Sequence, residues 1–83
     1  MKKRLGVVGI IIESRDEYAP KVNSILTQYG NIIKGRLGLP YSERNISVIS
    51  IIVDGTVEEI GALTGKLGIL EGVMVRSVLS KEK

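Results

Sequence analysis

The chain contains no cysteine and no histidine. Without thiols there are no disulfides, no iron–sulfur ligation and no cysteine nucleophile. Without imidazole the chain lacks the commonest metal ligand and the side chain best suited to proton transfer near neutral pH. No catalytic residue, metal ligand or cofactor is therefore expected. Tryptophan and phenylalanine are also absent, which leaves three tyrosines, at 18, 29 and 41. The longest apolar stretches, VVGIII (7–12) and VISIIV (48–53), fall far short of the roughly 20 residues a membrane helix needs. The start, MKKRLG followed by VVGIII, looks superficially like a signal peptide. It runs into Glu13, Arg15, Asp16 and Glu17 with no small-residue cleavage site, so it reads as a strand and a cytoplasmic location is expected. The net charge of +3 comes largely from Lys2, Lys3, Arg4, Lys81 and Lys83, a pattern of solvated tails rather than a nucleic-acid footprint.

What is present is one domain spanning residues 1–83, with a basic tail at 1–4 and a charged tail at 80–83. A chain of this length buries only roughly two-thirds of its unfolded surface, and with no staple its core most readily grows by self-association. Residues 5–12 form a β-rich run without polar alternation, as expected of a central strand buried on both faces. Tyr18, Val22, Ile25, Leu26 and Tyr29 recur at helical spacing and predict a helix over 17–29. Pro20 is tolerable only near its start, and Gly30 ends it as a residue free to take positive φ. A second strand is read over 32–39, with Ile33, Leu37 and Leu39 on one parity and Lys34 and Arg36 on the other. Pro40 stops its ladder, so it reads as an edge strand.

YSERN (41–45) is turn-like, and a third strand runs over 46–53. Thr56-Val-Glu-Glu59 is a capping box. Val57, Ile60, Leu63, Thr64 and Leu67 make a second amphipathic helix closed by Gly68, and Val73, Val75, Val78 and Leu79 mark a fourth strand. The order β-α-β-β-α-β describes an α+β, ferredoxin-like sandwich: an antiparallel four-stranded sheet with two helices on one face. Right-handed crossovers place strands one and three in the middle.

Both helices cover the same side, so the other face of the sheet stays open. On the third strand one parity carries Ile46, Val48, Ser50 and Ile52, the other Ser47, Ile49, Ile51 and Val53. Either choice leaves three aliphatic side chains exposed, which marks an interface. The interface candidates are Val48, Ile49, Ile51 and Ile52 with strand-one aliphatics, rimmed by Lys34, Arg36 and Arg76.

Other groupings have plainer explanations. GVVG (6–9) and GKLG (65–68) do not sit between a strand and a helix N-terminus, so they are not phosphate loops. Close packing accounts for Gly6 and Gly9, and helix contacts plus a C-cap for Gly61, Gly65 and Gly68. The carboxylates Glu13, Asp16 and Glu17, and Asp54, Glu58 and Glu59, lie where helix dipoles attract acids. RNA-recognition domains of this topology stack bases on central-strand aromatics, and those strands carry none here.

From Tyr29 to Leu79 the sequence resembles the family of iron-only hydrogenase system regulators. The most specific pieces are RLGLPY (36–41), SVISIIVDGT (47–56) and LTGKLG (63–68), and the likeness extends back through SRDEYAPKVNSILTQYG. That family looks ACT-like, similar to the C-terminal domain of nickel-responsive regulators. The resemblance implies association through sheets, with small effectors at subunit interfaces. Nickel sensing is not implied, because those domains bind metal through histidine and cysteine. ESRDEYAP (13–20) also departs from the glycine that amino-acid-binding ACT domains place at the first strand–helix turn.

The expected function is that of a non-enzymatic, transcription-regulator-like sensing or oligomerisation domain, working as a homo-oligomer, dimer or tetramer. A small-molecule effector is expected at Glu13, Ser14, Asp16, Asp54, Gly55 and Thr56, where the loops 13–17 and 54–58 meet a neighbouring subunit. The alternatives are a ligand-free module that binds a different protein partner through the same face, or a weak nucleic-acid binder using Lys34, Arg36, Lys66 and Arg76. The chain itself does not support direct DNA contact, and no membrane association is expected.

Overall fold

Near-continuous apolar runs in the two central strands, helical spacing of apolar residues between them and a capping box before the second helix produce four strands and two helices in the computed structural model. The structure describes residues 2–81, so Met1 of the basic tail and Glu82 and Lys83 of the charged tail lie outside the described residues. The elements are β1 (Arg4–Glu13), α1 (Arg15–Gln28), β2 (Ile33–Tyr41), a 3-10 turn (Ser42–Arg44), β3 (Ile46–Gly55), α2 (Val57–Gly68) and β4 (Val73–Leu79). The strands form one antiparallel sheet in the order β2-β3-β1-β4. This is the ferredoxin-like βαββαβ arrangement.

Strict alternation decides which side is core. Val8, Ile10 and Ile12 of β1 and Ile49, Ile51 and Val53 of β3 are buried with Val22 and Leu26 of α1 and Ile60, Leu63 and Leu67 of α2. The intervening residues of both strands face away from the helices. The expectation that β1 is buried on both faces is thus corrected: Val7 and Ile11 are exposed in the single chain.

The helix starts follow different chemistry. At α2 the Glu59 N–H donates to Thr56 Oγ1 at 3.1 Å and the Thr56 N–H to Glu59 Oε1 at 2.8 Å, completing the capping box. At α1 the cap residue Ser14 sits in the left-handed region at φ 48° and makes no side-chain cap bond. Its carbonyl instead accepts from the Glu17 and Tyr18 N–H groups, which starts the helix at Arg15 rather than 17. Pro20 lies inside α1, one turn beyond its start. Gly30 does not take the positive φ expected of it: no glycine among the described residues does. Tyr18 packs where a Cβ at Gly72 would collide with its ring. Desolvation there, with Glu17 and Glu71 nearby, raises its phenol above the ordinary value.

Two expectations about β2 change. Pro40 does not stop the ladder but pairs with Ser47, because an edge strand has one side on which a missing N–H costs nothing. A bulge between Ile33 and Gly35 adds one residue to the strand. Ile33 therefore pairs with Val53 on the helix side, whereas Leu37 and Leu39 fall opposite Ser50 and Val48 on the open side.

Truncation of the fully buried Ile51 to alanine is expected to cost about 2–5 kcal/mol. Thr56→Ala, which removes only the cap, is expected to cost about 1 kcal/mol. Chemical denaturation of the two variants beside the parent checks both values.

Candidate functional site

The side of the sheet away from the helices is built from three cross-strand rows set by the register. Ile52, Val7 and Val78 form one row with Gly35; Leu39, Val48, Ile11 and Met74 form another. Between them runs Leu37, Ser50, Gly9 and Arg76. Small residues at the centre of this middle row make a valley, with Leu37 and Arg76 at its two ends. Leu37 is 73% exposed, Val78 72% and Ile52 50%, large values for side chains of this kind. A depression of about 290 Å³ lies over Gly9, Ile11, Val48, Met74 and Arg76, and one of about 270 Å³ over Leu5, Val7, Ile52 and Val78.

The chemistry of this surface is packing. The one charge in these three rows is Arg76, at the β4 edge, whose Nη1 donates to the Val75 carbonyl at 2.9 Å. Among the described residues no group of three or more histidine, cysteine, aspartate or glutamate side chains is placed to hold a metal ion.

The structure sorts the interface candidates by side. Val48 and Ile52 lie on the open face. Ile49 and Ile51 do not: they belong to the parity under the helices and form part of the core. Arg36 is also displaced from its expected place at the rim. The bulge pairs it with Ile51, on the helix side, where its Nη2 donates to Asn23 Oδ1 at 2.7 Å. Arg76 lies on the open face as expected. Sequence parity named neither Leu37 and Leu39 nor Met74 and Val78 as members of this face. The β4 pair was legible once Val7 and Ile11 were known to face outward, whereas the β2 pair depended on the bulge.

The loop candidates are not brought together within one chain. Because β1 and β3 run antiparallel, Glu13 pairs with Ile46 and Asp54 with Leu5, which puts the two strand–helix turns at opposite ends of the sheet. Each turn is held by its own framework bonds. Glu13 N–H donates to the Gly72 carbonyl and Arg15 N–H to the Asn45 carbonyl. Arg15 Nε reaches Ser47 Oγ at 3.1 Å, and Asp16 Oδ1 accepts from Asn45 Nδ2 at 3.1 Å. At the other end, Asp54 N–H donates to the Ile32 carbonyl at 2.8 Å. Gly55 is crowded by Ile32 and Glu59, and Thr56 caps α2.

The basic residues also scatter. Lys66 bridges the helices through Gln28 Oε1 and the Tyr29 ring, Lys34 donates to the Asn31 carbonyl, and Arg36 and Arg76 occupy opposite faces at opposite edges.

Residues 4–77 match the TM1266-like family model, described as iron-only hydrogenase system regulator. The chain belongs to that family. The structure of TM1266 from Thermotoga maritima, an uncharacterized protein, is similar with a TM-score of 0.91 at 35% identity, over 96% of this chain and 100% of that one. Two more distant structures share the fold alone. A PII-like signalling protein from Thermus thermophilus has a TM-score of 0.61 at 18% identity, over 96% of this chain and 92% of its own. CPII, a nitrogen regulatory PII-like protein from Thiomonas intermedia bound to ADP, AMP and bicarbonate, has a TM-score of 0.55 at 20% identity, over 98% and 96%. No curated protein matches the chain. Among the described residues of this family member, no helix is long and apolar enough to cross a membrane.

A lysine at Ile49 or Ile51 places an unpaired charge in the core, a cost of several kcal/mol against a total stability of about 5–15 kcal/mol. Each variant is expected to lose its folded circular-dichroism signal. A lysine at Val48 or Ile52 is expected to keep it.

Proposed function

We propose that this regulator-family chain is a non-enzymatic module that works as a homo-oligomer, with the open sheet face covered by a second copy. The exposed aliphatic rows are the observation that carries this reading. Strands of ten residues rise about 34 Å, and the two shorter dimensions of the molecule are 18 Å each. The face therefore offers a footprint of about 600 Å², close to the roughly 800 Å² that each partner contributes to a standard stable interface. A patch of this size left in water is unusual for a monomer. Its three rows carry one charge, Arg76, with Glu13 and Asp54 at the strand ends; that balance suits burial against another sheet better than contact with phosphate, and a cytoplasmic setting belongs to the same reading.

Effector sensing follows from the same assembly. A copy packed with its strands inverted brings the Glu13–Asp16 turn of one chain to the Asp54–Thr56 turn of the other. CPII, with its ADP and AMP, suggests purine nucleotides as the first effectors to try. A transcription-level role, with DNA contacted through a partner, is part of this proposal. No arrangement of the basic residues supports direct contact.

Native mass spectrometry of the purified chain is expected to show an oligomer. The double variant Val48→Lys/Ile52→Lys is expected to be a folded, soluble chain of lower subunit number. An unchanged oligomer in that variant would sink the sheet-face reading. A parent chain that is monomeric alone but retains a different protein would favour a ligand-free interaction module instead. If ADP or AMP is an effector, it is expected to raise the melting temperature of the parent and not of the double variant.

A further inference from the structure

Glycine weakens the interior of a strand, because it loses the most backbone entropy and has no side chain to pack. β1 nevertheless carries two, and the chain itself explains one of them. A Cβ at Gly6 would meet Leu79, the Val78 carbonyl and Val53 on the crowded helix side. At Gly9 the nearest atom to such a Cβ is the Arg76 carbonyl at 4.0 Å, an ordinary contact, and φ there is not positive. The close packing expected of both glycines from sequence therefore holds for Gly6 and not for Gly9. Gly9 lies at mid-strand on the open face, with Ser50 beside it on one flank and Arg76 on the other.

The missing side chain leaves the floor of the depression of about 290 Å³ described above. Ile11, Val48 and Met74 wall it, and Arg76 lies beside the floor. Its volume is that of roughly ten waters, each of which needs two or more polar partners to be well held. The three wall side chains supply no good partner. Arg76 is the one charge in the open-face rows. Among the described residues its guanidinium makes a single hydrogen bond, from Nη1 to the Val75 carbonyl, and no ion pair. A guanidinium carries five N–H donors, so most of its capacity is unspent. The carboxylates of this face stand at the strand ends. Glu13, and Asp54 opposite Leu5, each lie four residues along the sheet from Gly9, about 13 Å away.

We infer that this depression binds a small monocarboxylate with an apolar body, its carboxylate on Arg76 and its hydrocarbon over Gly9. One cation matches one negative charge, and a guanidinium takes a carboxylate through two parallel N–H groups. A phosphate dianion would bring a second charge and further acceptors that this lining would leave unsatisfied. The bound acid runs from Arg76 on β4, across β1, toward Val48 on β3. That span is two strand spacings, about 9.6 Å, the reach of a zigzag chain of about eight carbons with bonds of roughly 1.5 Å. The flexible thioether of Met74 lets the wall adjust to straight or branched bodies. Gly9 keeps the floor low, and a larger residue would fill it.

The walls and the cation belong to one chain, so binding is independent of the proposed assembly and of the effector at the turns. Enclosure of the acid under a second sheet is the one part that rests on the proposed function.

Isothermal titration and methyl-resolved NMR of the purified chain with sodium octanoate test this, with 1-octanol as the uncharged match. Octanoate is expected to bind about tenfold more tightly than octanol, the lower end for a bond to a charged group. It is also expected to shift the methyl signals of Ile11, Val48 and Met74. Hexanoate and butyrate are expected to bind more weakly, by up to about fourfold per methylene removed. Arg76→Gln is expected to bring octanoate level with octanol, and Arg76→Lys to restore part of the difference. Gly9→Val puts a strand-favouring residue on the floor. It is expected to abolish binding of both probes with a melting temperature unchanged or raised. Arg76→Gln, at an exposed position, carries the test if Gly9→Val does not fold.

The inference fails if octanoate and octanol bind the parent equally, if neither binds, or if the shifted signals lie at the turns. A parent that binds neither probe but changes subunit number in Gly9→Val assigns the glycine to the approach of a second sheet. The open-face reading then stands without the ligand. A parent that is monomeric yet binds octanoate through Arg76 gives the opposite result: the open-face reading has failed and the acid site stands.

Discussion

The antiparallel pairing of β1 with β3 governs the rest of the molecule. It joins Val8, Ile10 and Ile12 to Ile51, Ile49 and Ser47 in one register, and so concentrates the branched aliphatics in the middle of the sheet. A slip of one residue would send every one of these side chains to the other face. The helices select which parity becomes core, and whatever they do not cover remains exposed. Core and open face are thus two outcomes of a single register.

That dependence explains how far the amino-acid sequence could be read. The element order and the α2 capping box were legible because each rests on local chemistry, turn residues and a threonine–glutamate pair, and the central position of β1 and β3 followed from crossover handedness and their unbroken apolar runs. The choice of face was not, since Ile49 and Ile51 are as apolar as Val48 and Ile52 and only packing under the helices separates them. Arg36 failed for a different reason. A bulge at the preceding residues has no clear signature beyond Gly35, yet it moves every later side chain of β2 to the opposite side. The loop residues from Glu13 to Asp16 and from Asp54 to Thr56 were expected to meet across a subunit boundary, on the resemblance to ACT-like domains, and a single chain, which holds the two turns at opposite ends of its sheet, does not speak to that.

The glycines of α2 illustrate a related point. Sequence alone suggested internal contacts for Gly61, Gly65 and Gly68, the usual reason for small residues on a helix. Those contacts do not exist, whereas Gly55 and Gly72 are tightly packed. Residue type therefore did not distinguish a glycine required by its own chain from one with space around it. Only the surroundings did. The same holds for the two edge strands, which both contain arginine and differ chiefly in bulge and proline.

The bulge in β2 has an evolutionary consequence. Substitutions along this strand change one side chain at a time, and most of its positions are exposed, so they are readily tolerated. Loss of a single residue near Lys34 would act on the whole strand. It would remove the phase shift and either pull Ile33 out of the core or turn Leu37 and Leu39 under α1 while Arg36 swung to the outer side. Relatives of this chain should therefore vary freely in identity across 34–39 yet keep the residue count between Ile33 and Pro40 fixed.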